Sequence, residues 1–197
     1  MSTFYLIRHA TNDFVGKVVV GWTPGVSLNA EGREQAGRLA WKLLGRGITT
    51  LYSSPLERAL ETAGPIGEAL GLRVQVRDAL GEVRFGDWSG KRMDELERDP
   101  RWRLFQEYRS GTRAPSGELM VESQMRIVNE LEHLRARHPE ETIAVVSHAD
   151  IIRAALVYYA GIPIDLNQRI EISPASISIL TLNDRGPQIL RLNDTAE

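Results

Sequence analysis

Two apolar runs, one near each end of the chain, break off at a histidine, and this repeated pattern constrains the fold most. Phe4-Tyr5-Leu6-Ile7 runs into Arg8-His9, and Thr142-Ile143-Ala144-Val145-Val146-Ser147 runs into His148. Near-continuous apolar runs of this length read as strands buried on both faces of a parallel sheet. Such strands deliver the residues that follow them to one carboxyl edge, where α/β folds bind ligands. A charged pair at the end of so apolar a strand calls for partners elsewhere in the chain.

The intervening sequence alternates helix and strand signals. Residues 12–28 form a loop punctuated by Gly16, Gly21 and Pro24-Gly25. Asn29 is the expected N-cap of a helix over 30–45, whose apolar stripe is Ala36, Leu39, Ala40, Leu43 and Leu44. A strand follows over 48–53. Ser54-Pro55 then opens a helix that carries Arg58, runs to about Leu70 and stops at Gly71. Val74-Gln75-Val76 is a short strand, and 80–90 read as a loop. Helical fragments are expected at Met93–Arg98 and Arg101–Tyr108, then a long helix from Gly117 to Arg137. After the second histidine comes a helix over Asp150–Ala160. The tail, 169–193, reads as two antiparallel strands about Asn183-Asp184-Arg185-Gly186. This order predicts a three-layer α/β/α sandwich with a mainly parallel central sheet. No repeat or linker interrupts it, so one domain is expected over 1–197, with a cap or lid at 91–120.

Composition narrows the function classes. A net charge of −2 gives no strongly basic footprint for nucleic acid. There is no cysteine, which removes disulfides, thiolate metal sites and thiol nucleophiles together and fits a reducing compartment. No signal-peptide pattern and no membrane-spanning apolar run is visible, so a cytoplasmic protein with no membrane partner is expected. The sequence leaves a homo-oligomer open.

Arg8, His9, Arg58, Glu82 and His148 all follow predicted strands, on the ligand-binding side. Two guanidinium forks match the oxygens of a phosphate and keep their charge at any biological pH. They also depress nearby imidazole pKa values, leaving a histidine neutral and able to attack phosphorus. A second histidine, with the amides that start the helix after it, can stabilise the equatorial oxygens. A carboxylate can protonate the leaving oxygen and later deprotonate water.

The motifs that carry these residues resemble the histidine phosphatase superfamily, the phosphoglycerate mutase-like family. They are Leu6-Ile7-Arg8-His9-Ala10, then Leu28-Asn29 with Gly32 and Gln35-Ala36, then Ser53-Ser54-Pro55-Leu56-Glu57-Arg58-Ala59 with Thr62-Ala63. Leu80, Glu82 and Phe85-Gly86-Asp87-Trp88-Ser89-Gly90 follow, and Val145-Val146-Ser147-His148 comes last. All run in family order over roughly residues 4–155. The resemblance implies that His9 is the phosphorylated nucleophile, that Arg8, Arg58 and His148 form a phosphate pocket, and that Glu82 is the proton donor. It implies no metal and no organic cofactor. Three positions depart from the pattern: Ala10 stands for the usual glycine, Thr11 for a frequent glutamate, and Val15 for a phosphate-contacting asparagine. Asn12 or Thr11 is the expected substitute, and Asn12 joins the phosphate-binding candidates.

Each candidate also has a plainer interpretation. His9 and His148 alone would be structural, Arg58 a solvated helix charge, and Glu82 a surface carboxylate with Asp87 and Glu118 as rivals. The fivefold pattern overrides these. His133 and His138 stand off the i, i+4 metal spacing and are expected to face solvent. The arginine clusters 98–103 and 109–113, with Trp102, Phe105 and Tyr108 among them, are expected to form a solvated amphipathic cap rather than a nucleic-acid surface. The expected function is hydrolysis of a small phosphorylated metabolite through phosphohistidine. The alternatives are a phosphoglycerate mutase and a catalytically idle phosphoryl-binding or interaction module. Loop 12–28, including Trp22, and segment 91–120 are expected to select the alcohol half of the substrate.

Overall fold

The computed structural model describes residues 1–195. β1 (Ser2–Arg8) is followed by the long loop and by α1 (Ala30–Leu43), which begins where the Asn29 side chain accepts from the Gly32 N–H at 2.9 Å. β2 (Ile48–Ser53), α2 (Glu57–Leu70) and β3 (Val74–Val76) come next, then α3 (Met93–Leu96), α4 (Pro100–Glu107) and α5 (Met120–Arg137). β4 (Thr142–Ser147) leads into α6 (Ala149–Tyr159), and β5 (Ile177–Asn183) pairs with β6 (Gly186–Asp194) as an antiparallel hairpin.

The sheet order is β3-β2-β4-β1-β5-β6. The β3–β2, β2–β4 and β4–β1 pairings are parallel, and β5 joins β1 antiparallel. Alternation along β1 sorts its side chains between two cores. Phe4 and Leu6 pack with α5 and α6 on one face, while Ile7 packs with α1 and α2 on the other. The result is the three-layer sandwich that the alternating elements predicted.

Several boundaries moved. α2 begins at Glu57, two residues past Pro55, with Leu56 capping it without a side-chain bond. α5 begins at Met120 rather than Gly117, because Gly117 lies against the backbone of Arg84 and is spent on joining the cap to the 80–90 loop. Residues Ile164–Arg169 form a 3-10 turn, so the first tail strand starts only at Ile177.

Segment 91–119 packs down through aromatic rings. Trp102 and Phe105 are buried and meet Trp88 at 5.1 and 5.2 Å between centroids. Asp99 caps α4 by accepting from the Arg101 N–H at 2.8 Å, and it also accepts from the Trp88 indole at 3.2 Å. The aromatic side of this amphipathic segment is therefore the buried one. Arg98, Arg101 and Arg103 are exposed, but Arg109 is buried. Loop 12–28 is stitched to this segment by Met93 N–H to Lys17 O at 2.8 Å and Val19 N–H to Lys91 O at 3.0 Å. No helix among the described residues is long and apolar enough to cross a membrane.

Candidate active site

Three neighbouring parallel strands end side by side. β1 delivers His9, β4 delivers His148 and β2 delivers Ser54. Backbone bonds extend the sheet by one step past the strand ends, with His9 N–H to Ser147 O and Ser54 N–H to Val146 O, both at 2.9 Å. His148 Nε2 lies 2.7 Å from Ser54 Oγ, and its ring centroid is 5.2 Å from that of His9. A second tie runs through α2. The Ala10 N–H donates to Thr62 Oγ1 at 2.9 Å, and the Thr62 hydroxyl donates to the Arg58 carbonyl at 2.7 Å. The residue after the histidine is thus fixed to the turn that carries the arginine.

His9 Nδ1 lies 2.8 Å from the Ala10 carbonyl oxygen. A carbonyl can only accept, so Nδ1 carries the proton and Nε2 of the neutral ring keeps its lone pair. Burial lowers the His9 pKa well below the usual value, with the Arg58 and Arg8 charges adding to it. His148 is lowered in the same way, first by burial and then by Arg58.

His9, Arg8, Arg58, Asn12 and Glu82 line one cavity of about 270 Å³. Its donors exceed its acceptors. Arg58, fully buried, gives Nη2 to the Gly21 carbonyl at 2.9 Å, and among the described residues its Nε and Nη1 find no partner. Arg8 holds the Ile172 carbonyl at 2.6 Å with Nη1 and leaves Nε unpartnered. Asn12 accepts from the Phe14 N–H at 3.0 Å, which leaves its buried Nδ2 without an acceptor. Buried N–H groups without acceptors are costly, and an anion bound among them satisfies them together.

Glu82 lines the same cavity as these cationic groups. Its pKa is pushed up to about 7 by burial and by the Asp150 charge, against the pull of Arg58. Its loop is clamped from both sides. The Trp22 indole donates to the Glu82 carbonyl at 2.6 Å, and Arg126 of α5 donates to the Ala79, Gly81 and Glu82 carbonyls. Glu118 holds Arg126 at 2.8 Å. The rivals lie elsewhere: Asp87 accepts from the Ser116 hydroxyl, and neither Asp87 nor Glu118 lines the cavity.

His148 is fully buried beside His9, and its Nδ1 has no hydrogen-bond partner among the described residues. Three expectations need correction. Trp22 supports the acid loop instead of lining the pocket, because its indole is committed to the Glu82 carbonyl and its ring lies under Arg84 at 4.3 Å. His138 does not face solvent, being held between the Tyr52 hydroxyl at 2.8 Å and Glu141 at 3.3 Å. Arg109 is drawn inside by Asp150 at 3.3 Å and by the Phe105 ring, 5.2 Å away. The departures from the family pattern are accommodated. Ala10 is buried and lies outside the left-handed region, so its Cβ costs no backbone strain, while Val15 presents an apolar side chain to the cavity.

The outer cavity contains Gln106 and Arg109, from the segment expected to select the alcohol half, and three residues that sequence reasoning missed: Asp150, Arg153 and Gln168. Asp150 follows His148 by two positions at the start of α6, so the strand-tip rule itself could have found it. Arg153 lies one turn further along α6, Gln106 and Arg109 come from the cap, and Gln168 comes from the turn before β5. Among the described residues, no group of histidines and carboxylates is placed to hold a metal ion.

Comparison with known proteins places this geometry in a family. Residues 4–195 match the family model for the histidine phosphatase superfamily (branch 1). Phosphoserine phosphatase 1 of Hydrogenobacter thermophilus is 32% identical, over 99% of this chain and 93% of that protein. A protein of Escherichia coli named probable phosphoglycerate mutase is 29% identical, over 90% of this chain and 84% of its own length. A phosphoserine phosphatase mutant from Entamoeba histolytica, solved with phosphoserine, superposes with a TM-score of 0.88 at 25% identity, covering 98% of this chain and 97% of that one.

Proposed function

The chain belongs to the histidine phosphatase superfamily, and we propose that it hydrolyses phosphomonoesters of small metabolites through a phosphohistidine at His9. The observation that carries this is the Nδ1–H bond from His9 to the Ala10 carbonyl, which leaves Nε2 as the nucleophilic atom beside two arginines. In the first step the Nε2 lone pair forms an N–P bond as the ester P–O bond breaks. Glu82, protonated in part near pH 7, gives its proton to the departing alkoxide. In the second step water attacks phosphorus, the N–P bond breaks, and the Glu82 carboxylate takes the proton from water. Arg8, Arg58 and Asn12 hold the phosphoryl oxygens, and they do so most strongly when charge builds on them. His148 acts beside His9. With Ser54 on Nε2, its Nδ1, which has no partner among the described residues, is left to donate toward the phosphoryl group. The residues over 91–119 act as a lid on the outer cavity.

Hydrolysis is supported over phosphoryl return by the similarity to phosphoserine phosphatase 1, which is 32% identical over 99% of this chain. The cavity volume suits a small metabolite, and the lack of cysteine suits the cytoplasm. The test is phosphate release from a phosphomonoester with acid-labile phosphate trapped on the protein, both lost in His9→Ala. A variant that hydrolyses as fast as the parent overturns the mechanism. Rapid isomerisation of 3-phosphoglycerate with a 2,3-bisphosphoglycerate primer, without phosphate release, would establish the mutase instead.

A further inference from the structure

A carboxylate in an anion-binding cavity works against its own substrate, so Asp150 needs a reason. It is the second residue of α6, lines the cavity, and sits close enough to the phosphate end for its charge to act on Arg8 and Glu82. Although burial works to raise its pKa, Arg109 and Arg153 overcome this and hold it below the usual carboxylate range. It is therefore negative wherever the enzyme would work.

The way it is held leaves half of it free. Arg109 Nη1 and Arg153 Nη1 both reach the same oxygen, Oδ1, each at 3.3 Å. Among the described residues nothing bonds Oδ2, and the side chain keeps 17% of its surface accessible. Both arginines are fixed independently, Arg153 by the Ile170 carbonyl at 2.9 Å and Arg109 by Gln106 and the Phe105 ring. A carboxylate serving only as their structural counter-charge would be expected to share both oxygens between the two forks. Here one oxygen is anchored and the other is offered to the cavity.

We infer that Asp150 is a specificity residue whose free oxygen binds a protonated amine on the alcohol half of the substrate. The substrates would then be phosphate esters of amino alcohols or hydroxy amino acids. This rests on the phosphatase proposal. The cation offsets the repulsion between Asp150 and the phosphate, so the same carboxylate that selects an amine rejects purely anionic esters. Phe14, Val15 and Met93 make part of these walls apolar, and the Oε1 of Gln106 already accepts from Arg109 and Gln168.

The experiment compares O-phosphoserine with its des-amino analogue, the phosphate ester of 3-hydroxypropionate, in the parent and in Asp150→Asn. p-Nitrophenyl phosphate, which has no amine, reports any loss common to all substrates. The parent should prefer the amine by roughly 10- to 100-fold in kcat/KM, the value of one charge-assisted hydrogen bond. The variant should lose that preference, whatever happens to its overall rate. Equal use of both esters by the parent, or a preference that survives in Asp150→Asn, overturns the inference. If the parent turns over none of the three esters, the phosphatase proposal fails by itself. Calorimetric binding of the same pair to His9→Ala then decides Asp150 alone, since weaker binding of the des-amino ester supports it and equal binding overturns it.

Discussion

The rings of His9 and His148 lie 5.2 Å apart and tilted by 57°, although they come from opposite ends of the chain. Adjacent parallel strands bring them together, and both are kept neutral by burial beside Arg58. Two basic groups without charge, next to two arginines, have consequences for stability as well as for chemistry.

The folded protein should lose stability as pH falls below about 6.5. Each depressed histidine binds its proton more readily in the unfolded chain, so the unfolded state holds more protons and gains on acidification. The slope approaches about 1.4 kcal/mol per pH unit per histidine. Glu82 opposes this in part, because between its ordinary 4.5 and about 7 the folded state holds the extra proton. Thermal melts of the parent and His148→Asn from pH 8 to pH 5 should show a shallower loss in the variant. Parallel curves would mean that His148 is not held neutral.

The rate should carry the signature of Glu82. With its pKa near 7, kcat/KM for alkyl phosphates should fall about tenfold per unit above that pH, as the acid form disappears. Asp150→Asn removes a charge that raises this pKa, so the limb should move to lower pH. A limb that stays in place would show that another group is being titrated.

Glu82→Gln should cost about 10²- to 10⁴-fold on alkyl phosphates and much less on aryl phosphates, whose leaving groups need little protonation. Equal losses on both would give Glu82 a different role.

The acid loop should be sensitive to its support. A Cβ at Gly81 would stand 2.2 Å from Trp22 Cζ2, which must move, and its indole bond to the Glu82 carbonyl with it. Gly81→Ala should lower kcat on alkyl phosphates about tenfold, as expected when a catalytic group is displaced, with a smaller change on aryl phosphates. Unchanged kcat on both would show that the clamp is dispensable.

Phe105→Ala should destabilise the fold by about 3–5 kcal/mol, because a fully buried ring between Trp88 and Trp102 is removed. It also takes away the surface on which Arg109 rests, so KM should rise more than kcat falls. Denaturant melts and steady-state kinetics separate the two effects.

What the sequence determined by itself is local or periodic. The apolar runs ending at His9 and His148 specify buried parallel strands, because only a strand covered on both faces tolerates such continuity. Asn29 marks a helix start because its side chain can take an orphan amide. The strand-tip rule then places Arg8, His9, Glu82 and His148 on one edge of the sheet, and the Ser54-Pro55 turn adds Arg58.

What only the tertiary structure decided depends on pairings between residues distant in the chain. The sequence cannot say that the His148 ring lies 5.2 Å from that of His9 with its Nε2 on Ser54, because that depends on strand pairing and ring orientation. Arg109 reads as one more charge in a solvated cluster until Asp150 and Phe105 are found against it. Trp22 reads as a substrate-facing aromatic until its indole is seen on the Glu82 carbonyl. Asp150 carries the largest difference. In sequence it is an acidic residue at a helix start, and in the fold it becomes a half-satisfied carboxylate in the cavity that Arg8, His9 and Arg58 line. The reason is physical: a charge acquires its meaning from the partners that desolvate and neutralise it, and those arrive from β1, the cap and the start of α6 only when the chain has folded.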